Sequence, residues 1–210
     1  QLSNTAKKIY DGLKKHKEDM KTGTYVIDFG TEFNSILNGA DGEEILNQEY
    51  QSAWNAFSYD NVDLYYLDIN KVSMVMEART EGATTTYYVK IGPGDYSSYL
   101  SSTFANKKEI EDADAYIKDI RNQVMSILGP YNNAMKIKVV NEWMIDNLSY
   151  ENIEGNNNKY NLYGAIVETK VVCEGYARMF KYIMDGLNIP CILVSGTAIL
   201  MANDFKVIID

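Results

Sequence analysis

Apolar residues along this chain recur with two periods. Ala6, Ile9, Tyr10, Leu13 and Met20 fall at helical spacing and predict a first helix that stops near Lys21-Thr22-Gly23. Residues 24–29 read as a strand. Asp41 followed by Glu44 matches a capping box, in which each side chain satisfies a free backbone N–H. It predicts a helix whose inward face is Ile45, Leu46, Tyr50, Ala53, Trp54 and Phe57. Strand segments follow at 62–69, 71–79 and 84–91. In the second, Val72, Met74, Met76 and Ala78 alternate with Ser73, Glu77 and Arg79, the period of a half-buried strand. Thr80-Glu81-Gly82-Ala83 predicts a hairpin turn to the third, and Gly92-Pro93-Gly94-Asp95 ends the sheet region.

The second half is predicted to open on a long helix. Ile110, Ala113, Ile117, Ile120, Val124, Ile127 and Leu128 keep a three-four spacing, with Asn106 as cap, Glu109 three residues later and Gly129-Pro130 as the stop. Another helix is expected over 132–148, with Ile137, Val140, Met144 and Leu148 inward, followed by the polar loop 154–159. The pattern predicts an α+β fold: an N-terminal helix-plus-antiparallel-sheet region over 1–105, and a second unit over 106–210.

Composition narrows the function. The 210 residues are 46% hydrophobic and 23% charged, typical of a folded globular protein. No apolar run approaches the roughly 20 residues of a membrane-spanning helix. The net charge of −9 would repel phosphate backbones, which argues against a nucleic-acid partner. Residues 1–21 run against this trend, with six lysines and three acids, and read as a solvated basic helix face. Two cysteines cannot make a disulfide framework. The chain starts at Gln1, as a mature or trimmed product would.

Candidate chemistry is sparse. Eight of the seventeen tyrosines lie at 50, 59, 65, 66, 87, 88, 96 and 99. Pairs such as Tyr65-Tyr66 and Tyr87-Tyr88 would place one ring on each side of a strand. Packing is the favoured role, and a binding platform the alternative. The acidic clusters at 41–44 and 60–68 lack calcium-loop spacing, and no glycine loop suits a phosphate. No metal or cofactor is therefore expected. Cys173 is the informative residue. Tyr176, Ala177, Phe180, Ile183, Met184 and Leu187 share one helical face, with Asn188 as a left-handed end residue and Pro190 as the stop. Cys173 then falls on the first turn, where free N–H groups and the helix dipole favour a thiolate and an adjacent oxyanion. Gly175 would leave room beside the sulphur for a substrate backbone.

From about residue 136 to residue 198 the sequence resembles the transglutaminase-like superfamily, whose fold is related to papain. The resemblance rests on Trp143-Met144-Ile145-Asp146-Asn147-Leu148-Ser149-Tyr150, on Tyr163-Gly164-Ala165, and above all on Val172-Cys173-Glu174-Gly175-Tyr176-Ala177. The helix to Asn188-Ile189-Pro190 and a strand over 191–196 complete it. The resemblance implies that Cys173 is the acyl-accepting nucleophile, attacking a glutamine carboxamide or peptide carbonyl to form a thioester. It also implies a protein or peptide substrate and an extracellular or surface-attached location.

Family members then carry a catalytic histidine in a His-Ala-Trp-Asn-like strand, and an aspartate one strand later. Here Met201-Ala202-Asn203-Asp204-Phe205 aligns with that strand, so Met201 stands where the general base belongs. Asn141 stands where many relatives have a non-catalytic histidine. The sole histidine, His16, lies in the first helix. Methionine moves no proton, and that loss removes roughly 10²–10⁴-fold of rate. Two accounts follow. In one, the core is cut before or at the histidine strand, leaving a sheet edge through which two copies could pair. In the other, the chain is a non-catalytic surface-binding module on the same scaffold. A Cys173–Cys191 disulfide would silence the nucleophile.

Overall fold

The computed structural model describes residues 1–152 and 154–196. Helix α1 (Asn4–Lys15) begins at Ser3, whose hydroxyl accepts from the Ala6 N–H, and buries Ala6, Ile9 and Leu13. It ends earlier than its apolar spacing suggests. The chain turns at 16–18 and resumes as a short 3₁₀ stretch (Asp19–Thr22) that still buries Met20. After strand β1 (Ile27–Gly30) come the one-turn helix α2 (Asn34–Leu37) and the long helix α3 (Gly42–Asp60).

The expected capping box at the start of α3 does not form. Asp41 is left-handed, with φ of 57°, and its side chain makes no cap bond. The reason lies in the approach of α2: a Cβ on Gly42 would stand 2.2 Å from the Ile36 carbonyl oxygen. That contact bends the chain too sharply for the extended backbone a capping residue requires. Leu46, Tyr50, Ala53, Trp54 and Phe57 face inward as expected, whereas Ile45 is exposed.

Strands β2 (Ser73–Glu81) and β3 (Thr84–Gly92) form the anticipated hairpin, turning at Gly82 with φ of 63°. Their register sets Met74 opposite Ile91 and Met76 opposite Val89, so one face carries the apolar set into the core. Beyond Glu77 the ribbon runs into solvent, and Ala78 is exposed. β1 adds antiparallel to β3, giving the order β1-β3-β2. The segment 62–69 is not a strand. It is an irregular crossing with one isolated bridge, Leu67 to Leu100. Tyr65 and Tyr66 do not point to opposite sides. Both are buried, edge to face with ring centroids 6.0 Å apart.

Helix α4 (Lys107–Ile127) follows the sequence closely. Asn106 Oδ1 accepts from the Glu109 N–H, while the Glu109 carboxylate accepts from the Ala105 N–H. Ile110, Ile117 and Val124 are buried, and Ile127 is exposed. Helix α5 (Asn133–Asn147) buries Val140 and Met144 but leaves Ile137 and Ile145 in solvent. A parallel pair, β4 (Ser149–Tyr150) with β5 (Lys170–Val171), flanks a π-helical turn (Gly164–Glu168) and leads into helix α6 (Cys173–Gly186). On α6 the buried apolar residues are Met179, Ile183 and Met184, and Ala177 is exposed. Asn188 is left-handed, with φ of 55°.

The strand expected at 191–196 is absent. Ile192 is 82% exposed and Val194 63% exposed. The sheet edge through which two copies were expected to pair lies by the histidine strand, outside the described residues. The outer strands of the described three-stranded sheet are β1, which is short and bulged, and β2, which carries exposed Glu77, Arg79 and Glu81. Both features discourage edge pairing.

The fold is α+β, with one buried apolar cluster running from Ala6 through Phe57, Tyr99 and Ile117 to Ile183. Each fully buried large side chain in it contributes about 1.5–3 kcal/mol. Several contacts tie residues before 105 to residues after it. Lys21 pairs with Asp114 at 2.8 Å, the Tyr65 hydroxyl donates to Asp114 at 2.6 Å, and Tyr65 and Phe104 pack on Tyr163. The lysines of the first segment meet the acidic body: Lys8 pairs with Glu32 and Lys17 with Asp63. No described helix is long and apolar enough to cross a membrane.

Candidate active site

Cys173 owes its position to the short parallel pair before it. The Ser149 N–H donates to the Thr169 carbonyl at 2.8 Å, and the Glu151 N–H to the Val171 carbonyl at 3.1 Å. The Val172 N–H donates to the Lys159 carbonyl at 3.1 Å. Val172 is thus held extended and buried, and the helix starts abruptly at Cys173. The first helical bond of α6 runs from the Tyr176 N–H to the Val172 carbonyl. The N–H groups of Cys173, Glu174 and Gly175 therefore have no intrahelical acceptor, and Val172 supplies no side-chain cap. Cys173 itself is exposed. An exposed thiol at an uncapped helix start meets free N–H donors and the positive end of the dipole.

The base of this turn is tightly packed. A Cβ on Gly175 would stand 2.5 Å from Val171 Cγ1 and 2.7 Å from the Lys159 carbonyl oxygen. The glycine is buried, so it serves the helix–strand contact and does not open space for a substrate beside the sulphur. Gly164 has the same role in the preceding segment, where a Cβ would meet the Asn158 carbonyl at 2.0 Å. The Tyr176 hydroxyl donates to the Leu148 carbonyl at 2.9 Å, and its ring stacks with Tyr150 at 6.4 Å. Those bonds fix α6 against the end of α5.

On the flank of α6, Glu174 pairs with Arg178 at 2.8 Å. Arg178 also donates to the Ser58 carbonyl and hydroxyl, both at 3.2 Å, and so ties α6 to α3. These residues form one wall of an open groove of about 810 Å³. Its other walls come from α3, the 62–70 crossing, residues 101–103 and the loop 155–161. That loop is held by amide hydrogen bonds. Glu168 accepts from the side chains of Asn156 and Asn158, and Asn158 Oδ1 accepts from the Thr103 hydroxyl. Sequence reading saw 154–159 only as a polar loop. The groove gathers five separated segments, and no periodicity within any one of them signals it.

The remaining candidates lie apart. His16 sits at the end of α1, its Nδ1 2.9 Å from Asp19 and its ring stacked on Tyr25 at 5.0 Å. Asn141 is exposed on α5. Cys191 is half-buried, and burial pushes its thiol up; neighbouring Lys181 pulls it down and Asp185 pushes it up, with a net upward shift. Cys173 and Cys191 are both free thiols. Met201 and the rest of its expected strand lie outside the described residues. Among the described residues, no group of three His, Cys, Asp or Glu side chains could hold a metal ion.

The core tyrosines are structural. Tyr50, Tyr65, Tyr66 and Tyr99 are buried, and each hydroxyl is hydrogen-bonded, to Val72 O, Asp114, Lys17 O and Tyr25 O respectively. No protein-family model matches the chain, and no curated protein sequence matches it.

Proposed function

We propose that this chain is a transglutaminase-like acyl-transfer domain in which Cys173 is the nucleophile. The observation that carries the reading is an exposed thiol on the first residue of a well-packed 14-residue helix, at an uncapped start. The thiolate would attack an amide carbonyl of a protein or peptide. A carbon–sulphur bond forms, the carbon–nitrogen bond breaks, and the nitrogen leaves as an amine after taking up a proton. Water or a second amine then takes the acyl group from the thioester. The free N–H groups of the first turn would face the oxyanion. His16 is committed to Asp19 and Tyr25, so proton transfer is the weak step and turnover should be lower by roughly 10²–10⁴-fold than with a positioned base. The same resemblance supports an extracellular or surface-attached location.

The test is stoichiometric acylation by an activated ester, read by intact mass and peptide mapping. One acyl adduct on Cys173, slow to hydrolyse and absent in Cys173→Ser, is expected. Alkylation by iodoacetamide should also favour Cys173 over Cys191, whose thiol burial keeps protonated. A Cys173 that stays unmodified while Cys191 reacts would end the acyl-transfer reading. The non-catalytic binding module, favoured by the engagement of His16 elsewhere, would then stand.

A further inference from the structure

The groove beside α6 has a chemistry of its own. Cys173 is not among its lining residues, although Glu174 and Arg178 are. Each of its charges already has a partner. Asp68 pairs with Lys71 at 3.2 Å, and Glu174 with Arg178 at 2.8 Å. A charged ligand would have to displace one of these pairs, so the groove suits an uncharged one.

Its remaining polar groups are amides and hydroxyls. Asn70, Ser102 and Asn157 are exposed on its walls. Ser101 lines it too, but its Oγ is buried beneath the groove surface, out of a ligand's reach. Amides and hydroxyls both donate and accept, which matches a ligand whose groups do the same. Tyr160 and Ile69 add exposed apolar surface between the polar groups.

Two other ligand classes fit less well. An extended peptide is usually captured by adding to a sheet edge, yet no lining residue belongs to a strand. An amphipathic helix needs a continuous apolar trough, and the Asn, Ser and Thr side chains interrupt this one. A volume near 810 Å³ lies within the roughly 300–1,000 Å³ of small-molecule clefts.

We propose that this groove is a binding site for an uncharged oligosaccharide, with sugar hydroxyls meeting Asn70, Ser102 and Asn157, and the apolar face of a ring lying against Tyr160. The site is separate from the thiol, so it stands whether or not Cys173 transfers acyl groups.

Trp54 lines the groove and Trp143 does not. The full chain carrying Trp143→Phe therefore reports on the groove through Trp54 fluorescence. It is titrated with cellohexaose, chitohexaose and the acidic hexagalacturonate, with calorimetry as a second readout. A saturable change with either neutral hexamer, weakened about tenfold or more by Asn70→Ala with Asn157→Ala, is expected. Ser102→Arg, at an exposed position that does not bear on folding, should abolish it. Hexagalacturonate should not compete. Three results would overturn the proposal: no saturable response to either neutral hexamer, binding indifferent to these substitutions, or tighter binding of hexagalacturonate or of a neutral Gly-Ser peptide.

Discussion

Alkaline pH should unfold this protein through its buried tyrosines. Burial alone pushes the Tyr50 phenol from 10.0 up to about 12. Tyr65, Tyr66 and Tyr99 are raised further, burial being the largest cause in each, with Asp114 adding at Tyr65 and Asp63 at Tyr66. A phenol whose folded pKa lies above its unfolded value stabilises the fold fully below pH 10. That contribution is lost as pH rises toward the folded value, because only the unfolded chain can release the proton. For Tyr50, a shift from 10.0 to about 12 corresponds to about 3 kcal/mol at 1.36 kcal/mol per unit. Lys21 acts in the same direction. Burial lowers its pKa, but its bonds to Asp114 and Glu18 more than offset this, so its protonated form, here the charged one, is likewise favoured by folding. By pH ~12 four such phenols withdraw about 11 kcal/mol, comparable to a total stability of about 5–15 kcal/mol.

The assay follows tyrosinate absorbance and far-ultraviolet circular dichroism together as pH is raised. A component of the absorbance should appear in step with loss of helix, since the core phenols ionise only as the fold opens. Tyr50→Phe sharpens the test. It removes a 3.2 Å hydrogen bond to the Val72 carbonyl and should cost about 1 kcal/mol at neutral pH. It also removes the alkaline penalty, so its unfolding midpoint on the pH axis should move upward. Ionisation of all seventeen tyrosines with the circular dichroism unchanged would refute the reasoning. So would a Tyr50→Phe midpoint that moves downward.

Three further outcomes can be checked by urea or thermal unfolding. Lys21→Met should cost about 2 kcal/mol, and Asp114→Asn in the same chain should recover some of it, because the two charges are paired in a partly buried site. Gly175→Ala should destabilise by about 1–3 kcal/mol, since its Cβ would meet the Lys159 backbone carbonyl, which has no rotamer to yield. Ile145→Lys should change stability by no more than about 0.5 kcal/mol, because that side chain is 63% exposed despite being apolar.

Where local chemistry and tertiary packing agree, the chain could be read directly. Helix α4 has both its period and its Asn106–Glu109 cap, and α6 has its start at Cys173 and its left-handed stop at Asn188. The β2–β3 hairpin announces itself by alternation and by Gly82. The errors share a cause. Segment 62–69 was expected to be a strand with one tyrosine ring on each side, but Tyr65 and Tyr66 are both drawn inward by polar partners, Asp114 and the Lys17 carbonyl, that lie far away in sequence. At 41–44, the cap letters were present, but the contact of Gly42 with Ile36 ruled out the geometry. In α5 the period placed Val140, Met144 and Leu148 inward correctly, but it placed Ile137 there as well, and that residue is exposed because apolar residues surround the helix. Of the candidate site, the thiol and its helix were legible. The groove was not, since its walls come from five separated segments that only folding brings together.

The placement of α6 links the two sites physically. Cys173 occupies the tip of the helix, whereas Glu174 and Arg178, one turn apart, occupy the flank that faces the groove. The tip is set by β5 and the Lys159 carbonyl, contacts within the second half of the chain. The flank is set by Arg178 binding Ser58, a contact that crosses to α3. The groove therefore depends on how the two halves meet, through Arg178–Ser58 and the junction of Lys21 and Tyr65 at Asp114. The thiol depends on the second half alone. Loosening the Lys21 junction should thus weaken oligosaccharide binding before it changes the alkylation of Cys173, and a substitution at Gly175 should do the reverse.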